Sequence, residues 1–479
     1  MKPELTQNDI AQGLRELGLK DGDVVLLHSS LASFGRVVGG ADAVIDAFLA
    51  VLGATGTLVV PTFGALGIIT EVLKTRPDAV HSILPKACVA ALGAQAEALC
   101  RDHWQAELAH GQDTPYTRIA EVGGYVCLLG VDQDRNTTLH TVEELARLPY
   151  LKTTAPITFD TPVGEVTKSW PFFPGPHRDF IGLDPLLLRD GEMRVGRIGD
   201  AVVRLMPAQK ILDVGAQAAK DDPAFALCDN PNCADCQGQR AAIRRDRFAR
   251  EPFRLATAAS LAGRYAEEIA ENCHLAGVTA VELDCLNGKP VTTIGIAKVE
   301  RAVALLREEG IEVSALRLPC IPRGLGAAIE LAARIGVDRM VLPLSLKAAD
   351  HLAACQAVGL TVSFGNGIMD CEAASEILLG LEGAGLTFSP AAFARAGEKP
   401  FLQSYRRKLR RHIDQLDIED ATFDGIPQPL AQGNGEIKEL ISILRCHSFA
   451  GWFVLSATNR AVGSLQDAVG QLERVLDQI

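Results

Sequence analysis

The sequence predicts the α/β class, with an N-terminal α/β domain built around a central sheet and a C-terminal closed (β/α)8 barrel. Its 479 residues exceed the roughly 250 to 300 at which a single hydrophobic core stops growing. The first half mixes apolar strands with helix-patterned segments, whereas the second half repeats one strand-helix unit eight times. We therefore expect two domains, at 1–250 and 251–479.

The elements of the first half follow from local patterns. Residues 8–19 have helical spacing, and VVLLHSS at 24–30 predicts a buried strand that runs into a polar, Gly-containing loop. The elements predicted after it are a helix at 41–52, a strand at 57–63, a helix at 86–103, a strand at 125–131 and a helix beginning near Thr138. These strands are expected to form the central sheet.

The second half follows a charged, poorly periodic stretch at 244–253, which we interpret as a connector. The eight predicted strands lie at 253–259, 279–285, 312–319, 339–345, 361–366, 386–392, 415–421 and 452–457. Eight strand-helix units in roughly 225 residues fit a closed barrel better than an open doubly wound sheet.

Composition excludes several classes of protein. The net charge of -12 argues against nucleic-acid partners, which require clustered Lys and Arg. The sequence lacks a secretory leader pattern and any apolar stretch of about 18 residues. Most of the 12 cysteines sit singly in apolar segments, as Cys127 and Cys273 do, which is typical of free thiols in a reducing compartment. We expect a cytoplasmic protein with neither a membrane nor a nucleic-acid partner.

The segment 28–40, HSSLASFGRVVGG, is a strand-exit loop that leads into a helix. Exposed backbone N–H groups and a helix N-terminus can hold phosphate oxygens. A tight turn with no ligand would have the same composition.

His140 and Glu143 stand three residues apart on a predicted helix, so both lie on one face. A neutral imidazole can accept a proton from an attacking amine, while a carboxylate fixes its tautomer. The alternative is an exposed polar pair. The hydroxyl of Thr137 is either an oxyanion donor or a helix N-cap.

One cysteine cluster stands out, formed by Cys228, Cys233 and Cys236 in the pattern C-x4-C-x2-C. The short spacing suits a structural zinc ion, but three ligands do not close a tetrahedral site. A fourth ligand would have to come from elsewhere, and His177 is one candidate. Free surface-loop thiols are the other interpretation.

Segments 26–53, 56–63, 111–131 and 136–150 resemble, in this order, the aminoglycoside 3-N-acetyltransferase family. The resemblance implies acetyl transfer from acetyl-CoA to an amino group of a small molecule, an aminoglycoside or a related amine. It makes His140 the base, oriented by Glu143, and Thr137 an oxyanion donor. It implies that coenzyme A is bound by His28, Ser29, Ser30, Phe34, Gly35, Val38, Gly39 and Thr114.

The sequence departs from the family's resistance enzymes after the strand at 57–63. The following segment is short, with Leu84 where a His is usual and Cys88 near the position of a Ser. Glu71 is a candidate contact to a cationic substrate, although an exposed helix Glu is the commoner explanation. Acetyl transfer is therefore expected, whereas antibiotic specificity and resistance do not follow.

The second half resembles the xylose isomerase-like sugar phosphate isomerase and epimerase barrels, whose metal ligands lie at the carboxyl ends of the strands. Here Asn366, Ser389 and Ser456 stand where ligands are usual. The remaining acids are Glu282, Asp417, Glu419 and Asp420. We expect a barrel without isomerase activity that serves in oligomerisation or in shaping the acceptor pocket. The alternatives are a metal-dependent isomerase that uses Glu282 and Asp417, and a non-catalytic scaffold that binds coenzyme A.

Overall fold

The computed structural model describes residues 4–175, 177–189, 191–321 and 325–479. The chain divides into two compact units, Met1–Ile243 and Arg244–Ile479. Within the described ranges, no helix is both long and apolar enough to cross a membrane.

The first unit is built on a central sheet. Its strands in chain order are β1 (Val24–Ser29), β2 (Thr57–Pro61), β3 (Val80–His81), β4 (Val89–Gly93), β5 (Tyr125–Leu129), β6 (Lys152–Thr153), β7 (Ile157–Thr161), β8 (Gly164–Lys168), β9 (Pro171–Phe172), β10 (Arg194–Ile198) and β11 (Ala201–Pro207). Seven of them form one sheet in the order β10-β11-β5-β1-β2-β4-β3, and β6 with β9 and β7 with β8 form two small ribbons.

Helices cover both faces of this sheet. They are α1 (Gln7–Glu16), α2 (Gly40–Leu52), α3 (Ile68–Lys74), α4 (Ala96–Cys100), α5 (Pro115–Glu121), α6 (Thr138–Leu145), α7 (Asp184–Arg189), α8 (Ala208–Asp221) and α9 (Ala234–Ala249). Short 3-10 turns lie at Leu31–Phe34, His103–Gln105, Gln133–Arg135 and Phe180–Leu183. Along β1, Val24 and Leu26 pack into the core that contains α5 and α6, whereas Val25 and Leu27 pack into the core that contains α1 and α2. This alternation explains why the first four residues of the strand, Val24 to Leu27, are all apolar.

The prediction of a helix over 86–103 is wrong. The apolar run 89–93 forms β4, which pairs antiparallel with β2, and only Ala96–Cys100 is helical. Gly93 lies at φ 126°, and an added Cβ would meet the Gly56 carbonyl oxygen at 2.2 Å. The alanines suggest helix by propensity, but strand pairing outweighs that weak preference.

The centre of the sheet marks the place where a ligand can bind. β1 pairs in parallel with β2 on one side and with β5 on the other. The chain thus leaves β1 in one direction and returns on its other side, which is a topological switch point. At the carboxyl edge the loop after β5 approaches the loop after β1 so closely that a Cβ at Gly130 would meet Ser33 Oγ at 1.6 Å. The loop after β1 and the segment after β5 that leads to α6 therefore begin at the carboxyl ends of two neighbouring strands.

The second unit is a closed barrel. Its strands in chain order are β12 (Arg254–Ala258), β13 (Ala280–Leu283), β14 (Cys285–Leu286), β15 (Lys289–Pro290), β16 (Glu312–Arg317), β17 (Arg339–Pro343), β18 (Thr361–Gly365), β19 (Gly385–Phe388), β20 (Ile413–Ile418), β21 (Asp420–Ala421), β22 (Pro427–Gln428) and β23 (Trp452–Leu455). The barrel order is β12-β13-β16-β17-β18-β19-β20-β23. All its strand pairs are parallel, so the predicted eight-stranded barrel is confirmed.

Helices connect the barrel strands. They are α10 (Ala259–Ala262), α11 (Ala266–Ala276), α12 (Ile296–Glu308), α13 (Gly326–Ile335), α14 (Ala348–Gln356), α15 (Cys371–Leu378), α16 (Pro390–Arg395), α17 (Ile437–Cys446) and α18 (Leu465–Asp477), with a π-helix at Pro400–Leu409 and 3-10 turns at Val291–Thr293 and Ala457–Ala461. The connector predicted at 244–253 is largely helical, because Arg244–Ala249 continue α9. Its arginines pair with acids on α18, including Arg244 with Glu473 at 3.1 Å.

Candidate active site

Helix α6 carries a histidine-carboxylate pair. His140 Nδ1 lies 2.6 Å from Glu143 Oε2, because residues three apart share one face of the helix. A carboxylate at this distance accepts the Nδ1 proton, which leaves the lone pair on Nε2. The His140 side chain is 16% exposed. Its Nε2 is the nitrogen available to take a proton from a ligand.

Glu143 is fixed from three directions. Its Oε1 accepts hydrogen bonds from the Tyr150 hydroxyl at 2.7 Å and from Arg178 Nε at 2.6 Å, and the carboxylate is fully buried. Burial alone would raise the pKa of Glu143, but the hydrogen bond and charge of His140, the charge of Arg178 and the hydrogen bond of Tyr150 outweigh it, so this pKa is lowered. Glu143 is therefore an anion that cannot rotate away from the imidazole.

Aromatic rings enclose His140. Phe173 stacks on the imidazole with ring centroids 3.5 Å apart, and Phe180 meets it edge-on at 5.3 Å. Burial lowers the pKa of His140 below its ordinary value, and the hydrogen bond and charge of Glu143 oppose this shift only in part. The imidazole is consequently neutral at pH 7 and able to act as a base.

A second histidine-carboxylate pair lies beside the first. Glu144 Oε1 is 2.9 Å from His110 Nδ1, and its Oε2 accepts the His110 backbone N–H at 2.7 Å. The ring centroids of His110 and His140 are 5.8 Å apart. The sequence did not predict this pair, although the two consecutive acids Glu143 and Glu144 on one short helix were an available signal.

The loop 28–40 presents only some of the residues predicted to bind coenzyme A. Ser29 and Ser30 are half-buried and Val38 is exposed. Gly35 and Gly39 both have φ 85°, so the backbone turns twice before α2 begins. A glycine-bordered helix N-terminus of this kind can receive phosphate oxygens.

Three other predicted coenzyme contacts face inward. Phe34 is 2% exposed and belongs to the core. The Thr114 hydroxyl is buried and donates to the Gly111 carbonyl at 2.6 Å. His28 is the penultimate residue of β1, and its Nε2 is buried without a partner among the described residues. Phe34 and Thr114 thus support the loops that carry the site without presenting a side chain to a ligand.

Two further candidate residues can be placed. Thr137 occupies the N-cap position of α6, but its hydroxyl makes no capping bond. The Asn136 side chain serves there instead, accepting the Thr138 N–H at 3.1 Å. Glu71 lies on α3 and pairs with Lys74 at 2.5 Å, as an exposed helix Glu commonly does.

The cysteine cluster gains a fourth partner. His177, Cys228, Cys233 and Cys236 offer ligand atoms that all lie within 4.8 Å of one another. His177 Nδ1 is 3.3 Å from Cys236 Sγ and 3.5 Å from Cys233 Sγ. The sequence separates His177 from the cysteines by about fifty residues, and the fold joins them.

Two of the candidate acids in the barrel, Glu282 and Asp417, bind the guanidinium group of Arg317. Arg317 donates to Glu282 at 2.7 Å and to both oxygens of Asp417 at 3.2 and 2.6 Å. Among the residues that the structure describes, the Cys/His cluster is the one group of potential ligands close enough to hold a metal ion. Arg317 is thus placed where Glu282 and Asp417 would otherwise meet a cation.

Buried histidines predict that the first unit loses stability in mild acid. Burial lowers the pKa of His28 and of His103 to about 3. The unfolded histidines titrate near 6.5, so stability is complete above that pH and falls as pH decreases toward 3. Between pH 7 and 5 each histidine is expected to cost about 2 kcal/mol.

Hydrogen exchange of the β1 and β5 amides at both pH values measures this loss. His28→Gln and His103→Gln should each reduce it, whereas the exposed His81→Gln should not. An identical pH dependence in all three variants would contradict the assignment.

The first unit is an α/β domain with a parallel-centred sheet and a part-buried histidine-carboxylate pair on the helix that follows β5. Residues 26–65 and 64–220 match the family described as aminoglycoside 3-N-acetyltransferase. The resemblance of the N-terminal half to this family is thereby confirmed.

Several characterised proteins are similar to this half. Aminoglycoside N(3)-acetyltransferase VII of Streptomyces paromomycinus is 35% identical over 181 residues, covering 30% of this chain and 62% of the relative. Aminoglycoside N(3)-acetyltransferase IX of Micromonospora chalcea is 36% identical over 178 residues, covering 30% of this chain and 63% of the relative. The chain thus spans less than two thirds of their lengths.

Solved structures are similar as well. The apoenzyme of aminoglycoside acetyltransferase AAC(3)-IVa is 28% identical with a TM-score of 0.47, covering 51% of this chain and 99% of that one. A binary complex of AAC-IIIb with CoASH is 26% identical with a TM-score of 0.43, covering 46% of this chain and 97% of that one.

Proposed function

We propose that the first unit transfers an acetyl group from acetyl-CoA to an amino group of a small molecule, an aminoglycoside or a related amine. The observation that carries the proposal is the His140-Glu143 pair, held at 2.6 Å through Nδ1, which leaves the lone pair on Nε2. The match of residues 26–65 and 64–220 to the acetyltransferase family supports the same reaction.

The proposed reaction needs no acyl-enzyme. The amine nitrogen attacks the thioester carbonyl carbon and forms the new C–N bond, while His140 Nε2 takes the proton that the nitrogen loses. The C–S bond then breaks, and the coenzyme A thiolate leaves and takes the proton from the His140 imidazolium, which restores the neutral base. The products are an acetylated amine and free coenzyme A. The protein's contribution is to align the two reactants and to hold the base.

The other predicted site residues bind the two substrates or stabilise the charge that develops during transfer. Ser29, Ser30, Gly35, Val38 and Gly39 receive the coenzyme at the N-terminus of α2. The Thr137 hydroxyl, which is not used in capping, donates to the thioester oxygen as charge develops on it. Glu71 contacts the cationic acceptor. Because most of the cysteines stand singly in apolar segments, we place this reaction in the cytoplasm.

We also propose that His177, Cys228, Cys233 and Cys236 hold a structural Zn²⁺ ion. Four N and S ligands are the set that closes a tetrahedral structural zinc site. In this proposal the barrel is not catalytic and serves as a unit for self-association.

Turnover of acetyl-CoA tests the proposed reaction. The purified full chain is incubated with acetyl-CoA and, in separate reactions, an aminoglycoside, a simple amino sugar and a linear primary amine. Release of free thiol and formation of the acetylated amine are measured together, the second by mass spectrometry. We expect both to rise in equal amounts with at least one amine. Tight binding of acetyl-CoA with no amine-dependent thiol release would instead establish a non-catalytic coenzyme-binding protein.

A further inference from the structure

The distances within the Cys/His cluster are those of a metal centre. With Zn–S bonds of about 2.3 Å and Zn–N bonds of about 2.0 Å in tetrahedral geometry, sulfur and nitrogen ligands lie about 3.5 Å apart. His177 Nδ1 lies 3.3 and 3.5 Å from the sulfurs of Cys236 and Cys233. The cysteines would bind as thiolates, releasing their protons to solvent.

The residue after His177 reaches the catalytic pair. Arg178 Nε donates to Glu143 Oε1 at 2.6 Å, and its Nη1 donates to the His177 carbonyl oxygen at 2.6 Å. One buried guanidinium therefore joins the backbone of the metal-ligand residue to the carboxylate that holds His140.

The whole segment around His177 belongs to the wall of the active site. Phe173 stacks on His140, and Phe180 meets its edge. On its other side the segment is attached to the cysteine-containing region, since Gln239 Nε2 donates to the Pro174 carbonyl at 3.0 Å and the Asp179 N–H donates to the Ala226 carbonyl at 2.9 Å.

We infer that the metal centre is a positioning device for catalysis: a Zn²⁺ ion bound by His177 and the three cysteines fixes Arg178, and Arg178 fixes Glu143 against His140. The inference rests on the proposed acetyl transfer for its kinetic consequence. It extends that proposal because it assigns to the cysteine cluster, which lies outside the reacting groups, control over the orientation of the base.

The test compares the full-chain wild type with Cys233→Ser, Arg178→Gln and the double variant, with Cys446→Ser as the control. Cys446 is an exposed thiol outside the cluster. Metal content is measured by elemental analysis, and Co²⁺ substitution reports thiolate ligation through its absorption spectrum. Steady-state kinetics give kcat and KM. The ¹⁵N resonances of the His140 ring report its hydrogen bond to Glu143 whether or not the protein turns over.

We expect one zinc ion per chain in wild type and Cys446→Ser, and its loss in Cys233→Ser. Because a displaced catalytic group costs about 10²-fold in rate, kcat of Cys233→Ser should fall by about 10- to 100-fold with the KM for acetyl-CoA unchanged. Arg178→Gln should produce a similar fall with zinc retained. The double variant should be no slower than the slower single variant, since both changes break the same connection.

Three outcomes are decisive. Zinc loss with unchanged kcat and unchanged His140 resonances overturns the inference and leaves the proposed reaction standing. Absence of zinc from wild-type protein, prepared without chelators and supplied with Zn²⁺, overturns the metal site itself. If wild type acetylates no amine, the proposed function fails, and a shift of the His140 resonances on zinc removal still decides whether the metal positions the pair.

If Cys233→Ser does not fold, the same comparison is made by removing zinc from wild type with a chelator and restoring it with Zn²⁺.

Discussion

Replacing His140 by Ala is expected to lower kcat/KM for amine acetylation by about 10²- to 10⁴-fold, the usual contribution of a general base. The free energy of unfolding should change less than it does for a core deletion, because the imidazole is partly exposed. Its Nε2 is the lone pair directed away from Glu143, so no other atom of this pair can take the proton from the amine. The KM for acetyl-CoA should stay near the wild-type value, since the loop 28–40 is untouched.

The control and the pH profile separate a base from a packing residue. His81→Ala removes an exposed imidazole from the same unit and should leave kcat/KM unchanged. Because burial holds the pKa of His140 below its ordinary value, the neutral base persists to lower pH, and the acidic limb of the wild-type profile should lie below about 6.5. That limb should vanish in His140→Ala. Rates within about threefold of wild type would remove this histidine from the mechanism.

The fold was predictable where a local pattern decides the element. The barrel strands are short apolar runs separated by amphipathic helices, and each run lies where the sequence places it. The segment 86–103 was not predictable in this way, because its alanines favour a helix by propensity. Its conformation is decided by antiparallel pairing with β2, which lies about thirty residues away. The stretch 244–253 was predicted as a connector, but its helical conformation was not predictable, because its charged side chains hide any apolar periodicity. Arg244–Ala249 are helical, and Arg244 pairs with Glu473 on α18.

The candidate site was also predictable only in part. His140 and Glu143 are three residues apart, so helical geometry alone brings them together. Arg178 reaches Glu143 from 35 residues away, and Glu144 reaches His110 from 34. No periodicity encodes such contacts, which depend on how separate elements pack against the sheet. His177 was named as a candidate ligand from its residue type, but only the fold places it beside the cysteines.

The interior of the barrel holds a buried ionic group that is costly to break. Glu282 is fully buried and Asp417 is 2% exposed. Burial and the nearby charge of Asp417 raise the pKa of Glu282, while Arg317 opposes that rise. Gln415 adds hydrogen bonds to both acids, at 3.0 and 2.9 Å. Two carboxylates are therefore tolerated in the interior because one guanidinium compensates them.

Arg317→Met is expected to destabilise the barrel by about 3 to 5 kcal/mol, because it leaves two buried carboxylates without their cation. Hydrogen exchange of the β13, β16 and β20 amides measures the change, with the strands of the first unit as an internal reference. Arg334→Met breaks an exposed pair with Glu300, and its effect on stability should be far smaller, because solvent screens an exposed ion pair. Adding Glu282→Gln and Asp417→Asn to Arg317→Met should restore most of the loss, since the unpaired charges are then gone. If Arg317→Met costs no more than Arg334→Met, the guanidinium does not hold these acids, and a cation from solution becomes their better partner.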